Sequence, residues 1–307
     1  LVTAPGPWRD VDVHASVDST NFEALRDPRV WRVVVADYQS AGRGRLARQW
    51  EAPAGTSIAV SAVVPVPPSR AADLGWLPLL SGMAMRQALE DVAGVSGRLK
   101  WPNDVMVQEQ AAGLADNGAS GLADNGVPGL ADNGVPGLAD NGASGLADNG
   151  ASGLTDNGAP WLKISGILCE MAPGGELVVI GAGANIAQER DELPVDTATS
   201  LALCGARNLR REDVIAGYLG ALADLHQTWS AGGARLDALR TAYRSRCLTI
   251  GLDVDVHQPG GRVVRGTATG VDAEGRLVVT AGGSSLAHAA GDVVHVRRSQ
   301  PGAGHTA

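Results

Sequence analysis

Residues 113–160 are six tandem octapeptides: GLADNGAS, GLADNGVP, GLADNGVP, GLADNGAS, GLADNGAS and GLTDNGAP. Each unit offers one large apolar side chain, its leucine, and an Asp-Asn-Gly turn signal, so the block has little to bury. It is expected to be a disordered insertion, and any core of the 307-residue chain must come from the residues before and after it. The near-identity of the units points to recent tandem duplication. A calcium-binding solenoid is the sharper alternative, because Asp116, Asp124, Asp132, Asp140, Asp148 and Asp156 recur at a fixed interval. The known pattern, however, is a nine-residue, glycine-richer repeat with a different aspartate placement.

The block also skews the charge. The chain has a net charge of −8, but the repeats hold six acids and no base, leaving 27 acids against 25 bases elsewhere. A basic, nucleic-acid-seeking surface is not indicated. Apolar content of 44% and charged content of 19% suit a soluble globular protein. No run of about 18 uncharged apolar residues suggests a membrane span, and residues 1–12 lack the basic flank and apolar core of a secretory signal. Cys169, Cys204 and Cys247 are odd in number and widely spaced, which fits a reducing compartment and no metal-ligand set. The chain is read as cytoplasmic.

Around the block, local signals place the polar residues. Asp18-Ser19-Thr20-Asn21 precedes Phe22-Glu23-Ala24-Leu25, a helix start with Ser19 or Thr20 as cap, whose free N–H groups also suit a pocket mouth. WRVVVAD at 31–37 predicts a buried strand that delivers a loop containing Gln39, Gly42, Arg43, Gly44, Arg45, Ala47, Arg48 and Trp50. The glycines let a ligand approach the backbone, and the arginines offer forked donors for phosphate or carboxylate. An arginine-glycine loop that touches nucleic acid is the alternative, but a position between two strands, the second over 56–64, favours a ligand loop on a scaffold.

Residues 74–92 have the periodicity of a core helix, and 98–107 read as one strand in which Pro102 makes a bulge or edge that re-aims Asn103 and Asp104. Beyond the repeats, 162–171 and 177–182 form an antiparallel meander that ends in Gly181-Ala182-Gly183-Ala184-Asn185. Helices follow near 211–229 and 234–247. From residue 249, short runs at 252–257, 263–271, 276–280 and 292–297 between glycine turns predict a small all-β domain, and 300–307 a frayed tail.

Lys100 and Lys163 are the only lysines among 25 basic residues, and each stands inside an apolar run. Arginine cannot replace a compact ammonium where a small, movable charge must reach a ligand oxygen. Their rarity marks both positions.

The ordered set Ser19-Thr20-Asn21, Gly42-Arg43-Gly44-Arg45 with Arg48 and Trp50, Lys100-Trp101-Pro102-Asn103-Asp104, Lys163 with Gly166-Ile167-Leu168 and Glu170, then Gly181 to Asn185, resembles biotin protein ligase. The resemblance runs from about residue 14 to 298, repeats excluded. It implies an α+β fold, a mixed, mainly antiparallel sheet backed by helices and related to class II aminoacyl-tRNA synthetases. A ligase domain over 1–248, interrupted at 113–160, is then followed by an SH3-like barrel over 249–300 and a tail over 301–307. The family's larger members carry an N-terminal helix-turn-helix repressor module; a chain that begins almost at the catalytic domain is expected to have no DNA partner.

The resemblance also implies a reaction with biotin and Mg2+-ATP. Biotin's carboxylate attacks the α-phosphorus to give biotinyl-5′-adenylate and pyrophosphate; a lysine of a biotin carboxyl carrier protein of acyl-CoA carboxylases then takes the biotinyl group. By resemblance, Lys163, Arg45, Arg48 and Asp104 are catalytic. Biotin falls to Ser19, Thr20, Gln39, Gly42, Arg43, Arg45, Lys163 and Gly166, and the adenylate to Arg45, Arg48, Trp50, Asn103, Lys163 and Asn185. No protein ligand is assigned to the metal. The chain departs from the family pattern in having Ala47 where a glycine is usual. The competing expectations are a lipoate ligase on the same scaffold and a non-enzymatic protein that binds nucleic acid or a partner.

Overall fold

The computed structural model describes residues 6–109, 155–156, 159–258, 260–290 and 295–298. The expected disorder of the repeats and their calcium alternative fall on residues that lie almost wholly outside these, as do the start of the chain and its tail. In chain order the first elements are β1 (Asp10–His14), α1 (Thr20–Arg26), β2 (Arg32–Ala36), β3 (Ser57–Pro65), α2 (Trp76–Ala93), β4 (Gly97–Lys100) and β5 (Asp104–Val107). There follow a short antiparallel pair β6 (Thr155–Asp156) and β7 (Ala159–Pro160), then β8 (Leu162–Met171), β9 (Leu177–Asn185), α3 (Arg211–Ala231) and α4 (Gly233–Arg244).

Seven of these strands make one sheet in the order β1-β2-β3-β9-β8-β5-β4, with only β1 and β2 parallel. The runs VVV in β2 and SIAVSAVV in β3 are uncharged and mostly apolar because both faces of the sheet are covered. Val33, Ile58, Val60, Ala62, Ile180 and Ala182 pack on the α2 and α3 side with Leu80, Met85, Tyr218 and Leu222. Val34, Val63 and Val179 face the other way, onto Ala24 and Leu25 of α1. The sheet is thus mixed, mainly antiparallel and backed by helices.

The C-terminal unit is a five-stranded antiparallel sheet of SH3-like type: β10 (Asp253–His257), β11 (Val263–Val271), β12 (Leu277–Ala281), β13 (Ser284–His288) and β14 (His295–Arg298), in the order β13-β12-β11-β10-β14. Its β11–β12 turn is gripped by the large domain. Trp76 Nε1 donates to Ala273 O at 2.9 Å and Trp101 Nε1 to Gly275 O at 3.0 Å. Gly275, at φ +84°, comes so close to Gly75 that a side chain on either would meet backbone.

Three expectations are corrected. Residues 98–107 are two antiparallel strands, β4 and β5, with the cis Trp101–Pro102 peptide in their turn and Lys100 opposite Asp104. Proline has no N–H for a ladder, and here the ladder ends and reverses rather than bulging. The strand expected over 177–182 runs on to Asn185, so all of Gly181 to Asn185 lies within β9. β1 and β13 are additional strands.

His226 of α3 lies between Trp31 and Trp229, with ring centroids at 5.2 and 5.5 Å, and its Nε2 is 2.9 Å from Pro65 O. Burial lowers its pKa below the ordinary histidine value, and the Pro65 contact opposes this only in part. The unfolded chain therefore binds the proton at higher pH than the folded one. Stability from this group is complete above the unfolded value, about 6.5, and is lost as pH falls below it. The urea midpoint should drop between about pH 8 and pH 5.5, with His226 contributing at most about 1.4 kcal/mol per pH unit. A His226→Gln variant should show the shallower slope.

Candidate active site

Across the α1 face of the sheet runs a row of small residues set by strand register: Ala36 opposite Ala59, Ala59 opposite Gly183, Gly183 opposite Gly166, and Gly166 opposite Asp104. The row forms a trough over three strand spacings from β3 to β5, about 14 Å. At its β5 end the β8 register slips: Val105 pairs with Ser165 but Met106 with Lys163, leaving Ile164 as an extra residue. Ile164 and Ser165 are both fully buried, so the bulge turns Lys163 onto the same face as Gly166.

Lys163 is fixed at both ends. Its backbone N–H donates to Thr197 O at 2.8 Å and its carbonyl accepts from Thr199 N at 2.9 Å. Its ammonium lies 2.7 Å from Asp104 Oδ1, and its side chain passes over Gly166, where an added Cβ would sit 3.2 Å from Nζ. Asp104 is buried, so this cation neutralises a carboxylate held out of water. The expected convergence of Asp104 and Lys163 is present.

The arginine loop arches over the trough. Trp50 N–H donates to Gly42 O at 2.9 Å, Gly44 N–H to Arg48 O at 2.7 Å, and a short 3-10 turn spans Arg45–Ala47 with Leu46 at φ +58°. Gly42 passes too close to the Trp50 carbonyl for any side chain. The Trp50 indole lies on the trough floor, where a Cβ at Gly183 would be 2.6 Å from the ring and one at Gly166 3.5 Å. Arg45 reaches Asn103 Oδ1 at 3.5 Å and donates to Ala290 O of the C-terminal sheet. Desolvation lowers its pKa, Asp104 opposing and Arg48 adding to the shift, which puts all three groups in one electrostatic neighbourhood.

A polar cluster occupies the α1 end. Thr20 N–H donates to Gln39 Oε1 at 2.8 Å, with Thr20 Oγ1 3.2 Å from the same oxygen. Ser19, at the N-cap position, is buried but makes no side-chain capping bond. Gln39 and Trp50 line a small recess with Tyr38 and Ala59. Ser61 Oγ lies 2.6 Å from Asn21 Oδ1 and 2.8 Å from Thr20 Oγ1, and Asn21 Nδ2 donates to Glu170 Oε2 at 2.7 Å. Arg43 meets the other oxygen, Oε1, at 2.8 Å. Asn21, Ser61, Glu170 and Gly183 were not singled out as site residues from sequence; for Asn21, Glu170 and Gly183 the signal was their place in the motifs.

Asn103 and Asn185 differ in their freedom. Asn103 Nδ2 is bound to Ile167 O at 3.0 Å while its oxygen faces Arg45. Asn185 is buried, with its amide committed at both ends, to Thr199 O at 2.9 Å and from Gln188 at 3.0 Å. It shapes the segment that holds Lys163 rather than presenting a free amide.

The profile of the Biotin/lipoate A/B protein ligase family matches residues 13–116, and that of the Biotin protein ligase C terminal domain matches 249–296. The biotin--[acetyl-CoA-carboxylase] ligase of Mycobacterium tuberculosis is 32% identical over 305 residues, covering 97% of this chain and 93% of that protein. The bifunctional ligase/repressor BirA of Bacillus subtilis is 26% identical, over 87% of this chain and 67% of its own length. Among solved structures, the biotin protein ligase of Aquifex aeolicus in complex with biotin and ATP shares the fold at a TM-score of 0.68 and 22% identity, covering 95% of this chain and all of that one.

Proposed function

The chain belongs to the biotin protein ligase family, and we propose on that basis that it activates biotin with ATP and transfers it to a lysine of a biotin carboxyl carrier protein. The carrying observation is the trough itself: a glycine floor with the Thr20–Gln39 cluster at one end and Lys163, Asp104, Arg45 and Asn103 at the other. An elongated ligand with a polar head and an acid tail fits such a slot.

In the first step a biotin carboxylate oxygen bonds to the α-phosphorus of ATP and the bond to the β-phosphate oxygen breaks, releasing pyrophosphate. Negative charge gathers where carboxylate meets phosphate, so the rate comes from placed cations rather than from a protein nucleophile. Lys163 holds the carboxylate and α-phosphate oxygens, and Arg45 and Arg48 clamp the phosphates. In the second step the carrier amine attacks the acyl carbon and AMP leaves with the electron pair, Asp104 orienting Lys163 and the incoming amine. Among the described residues no group of three His, Cys, Asp or Glu side chains converges. Mg2+ would come with ATP, offsetting charge on its phosphates. A reaction that consumes ATP, in a chain whose three cysteines are free, belongs in the reducing cytoplasm.

Incubation with ATP and either labelled biotin or lipoate, read by pyrophosphate release, tests the reading. Release with biotin alone is expected; release only with lipoate, or with neither, overturns it.

Two further outcomes follow. Trypsin cleavage after Arg43, Arg45 or Arg48 should slow when biotin and ATP are present, because bound anions add contacts that hold the glycine-containing loop in one conformation; equal rates would contradict this. Deleting residues 113–160 should leave ligation intact, because Lys163 is held by Thr197, Thr199 and Asp104. Of the described contacts across the neck of the insertion, the bond from Gln108 Nε2 to Ala159 O at 2.9 Å is lost. Closing a short loop instead of the long one should stabilise the fold by about 2 kcal/mol, read as a raised urea midpoint. A folded but inactive deletion variant would give the repeats a function.

A further inference from the structure

Glu170 stands on β8 opposite Val179, on the α1 face of the sheet, and its two carboxylate oxygens have different employers. Oε1 accepts from Arg43 Nη2 at 2.8 Å, and Oε2 accepts from Asn21 Nδ2 at 2.7 Å. Asn21 is buried, its other amide end is held by Ser61 at 2.6 Å, and Gly181 lies so close beneath it that no side chain could stand there. Arg43 is gripped from a second side, its guanidinium carbon 4.3 Å above the ring of Phe22, the only phenylalanine in the chain. The carboxylate therefore joins three separate pieces of chain: β8, the first turn of α1, and the base of the arginine loop.

We propose that Glu170 is a positioning residue for the ligation reaction, a clamp that sets the arginine loop against the start of α1 so that the polar head of the substrate meets both at once. The proposal rests on the biotin ligase reading for the identity of that substrate. Removing one arm of the clamp leaves Thr20 and Gln39 in place but frees the loop base, so the substrate must order the loop as it binds. The cost falls on binding rather than on the cations at the far end of the trough. A carboxylate is required, because Arg43 and Asn21 Nδ2 both donate and each needs an acceptor oxygen. A glutamine at this position keeps an acceptor for Asn21 but turns its amide protons toward the guanidinium.

The test uses the full-length chain and its Glu170→Gln, Arg43→Met and double variants. Glu170→Gln is expected to raise the KM for biotin by about 10- to 100-fold, the range for loss of a charge-assisted hydrogen bond, with kcat within about threefold of the parent. The double variant is expected to be no worse than the poorer single one, since both break the same contact. Glu170→Asp is expected to recover part of the loss. An unchanged KM for biotin in Glu170→Gln, equal losses in KM and kcat, or additive effects of the two substitutions would each overturn the clamp.

A second readout needs no substrate. Tryptic cleavage after Arg45 in the ligand-free protein should speed up in Glu170→Gln while the thermal midpoint stays near that of the parent. An unchanged cleavage rate, or a fall in midpoint that accounts for the faster cleavage, counts against the clamp. If the parent releases no pyrophosphate with biotin, the ligase reading fails by itself, and the cleavage comparison still decides whether Glu170 holds the loop.

Discussion

Lys163→Ala is expected to fold and to lose biotin-dependent pyrophosphate release by about 10²- to 10³-fold, the usual effect of removing one preorganised donor from a developing anion. Folding should survive because the strand position is fixed by backbone bonds to Thr197 and Thr199, which an alanine retains. The loss has a second part. The ammonium sits 2.7 Å from the buried Asp104 carboxylate, so its removal leaves an uncompensated negative charge where the attacking carboxylate and the phosphate must come together. Asp104→Asn should therefore relieve part of the defect when combined with Lys163→Ala. Parental pyrophosphate release in Lys163→Ala would remove the catalytic assignment of this residue, and calorimetry with biotin separates lost binding from lost chemistry.

That lysine was legible from sequence because composition isolated it: a chain that places arginine almost everywhere else kept an ammonium inside an apolar strand. The bulge that aims it was not. Nothing in Lys163-Ile164-Ser165-Gly166 announces an extra residue, since the slip depends on what β5 places opposite. Long apolar runs such as β3 and β8, and the long helices, were legible through period and β-branching. β13 was not, because Ser284-Ser285-Leu286-Ala287-His288 has no β-branched side chain and is a strand only because β12 pairs with it. The turn at Trp101-Pro102-Asn103 was read as a local break because proline reports an interrupted ladder and not the direction the chain takes afterwards. Within the site, the charged partners of small molecules stood out, whereas Glu170 and Asn21 lay within the motifs but had no role to read, because their contacts are with other side chains and exist only once the three elements meet.

Gly183→Val is expected to abolish measurable biotin binding, with KM raised by about 100-fold or more, while the sheet stays intact. Valine suits a paired strand position, and Gly183 is bonded on both sides, to Ala59 and Gly166. Its side chain, however, must stand in the trough, where even a methyl carbon would lie 2.6 Å from the Trp50 ring. The indole must rise and the slot closes to any flat ligand. Gly183→Ala is the graded comparison and should show a smaller loss in the same direction. A valine variant that binds biotin normally by calorimetry would move the binding site off this floor, and a variant that unfolds would show instead that the close approach of Trp50 is needed for the fold.

The strand order has a consequence for how the protein is made. β3 is completed by residue 65, but its partner β9 does not begin until Leu177, so a strand buried along its whole length has an unmatched edge while more than a hundred residues are still to be synthesised. The six octapeptides lie inside that interval. At about 5–20 residues per second they lengthen the wait by roughly 2–10 s. During that time an uncharged Ser-Ile-Ala-Val-Ser-Ala-Val-Val edge is available to any neighbouring nascent chain. Chaperone demand and yield on the ribosome, rather than turnover of the finished enzyme, are where the repeats should be felt.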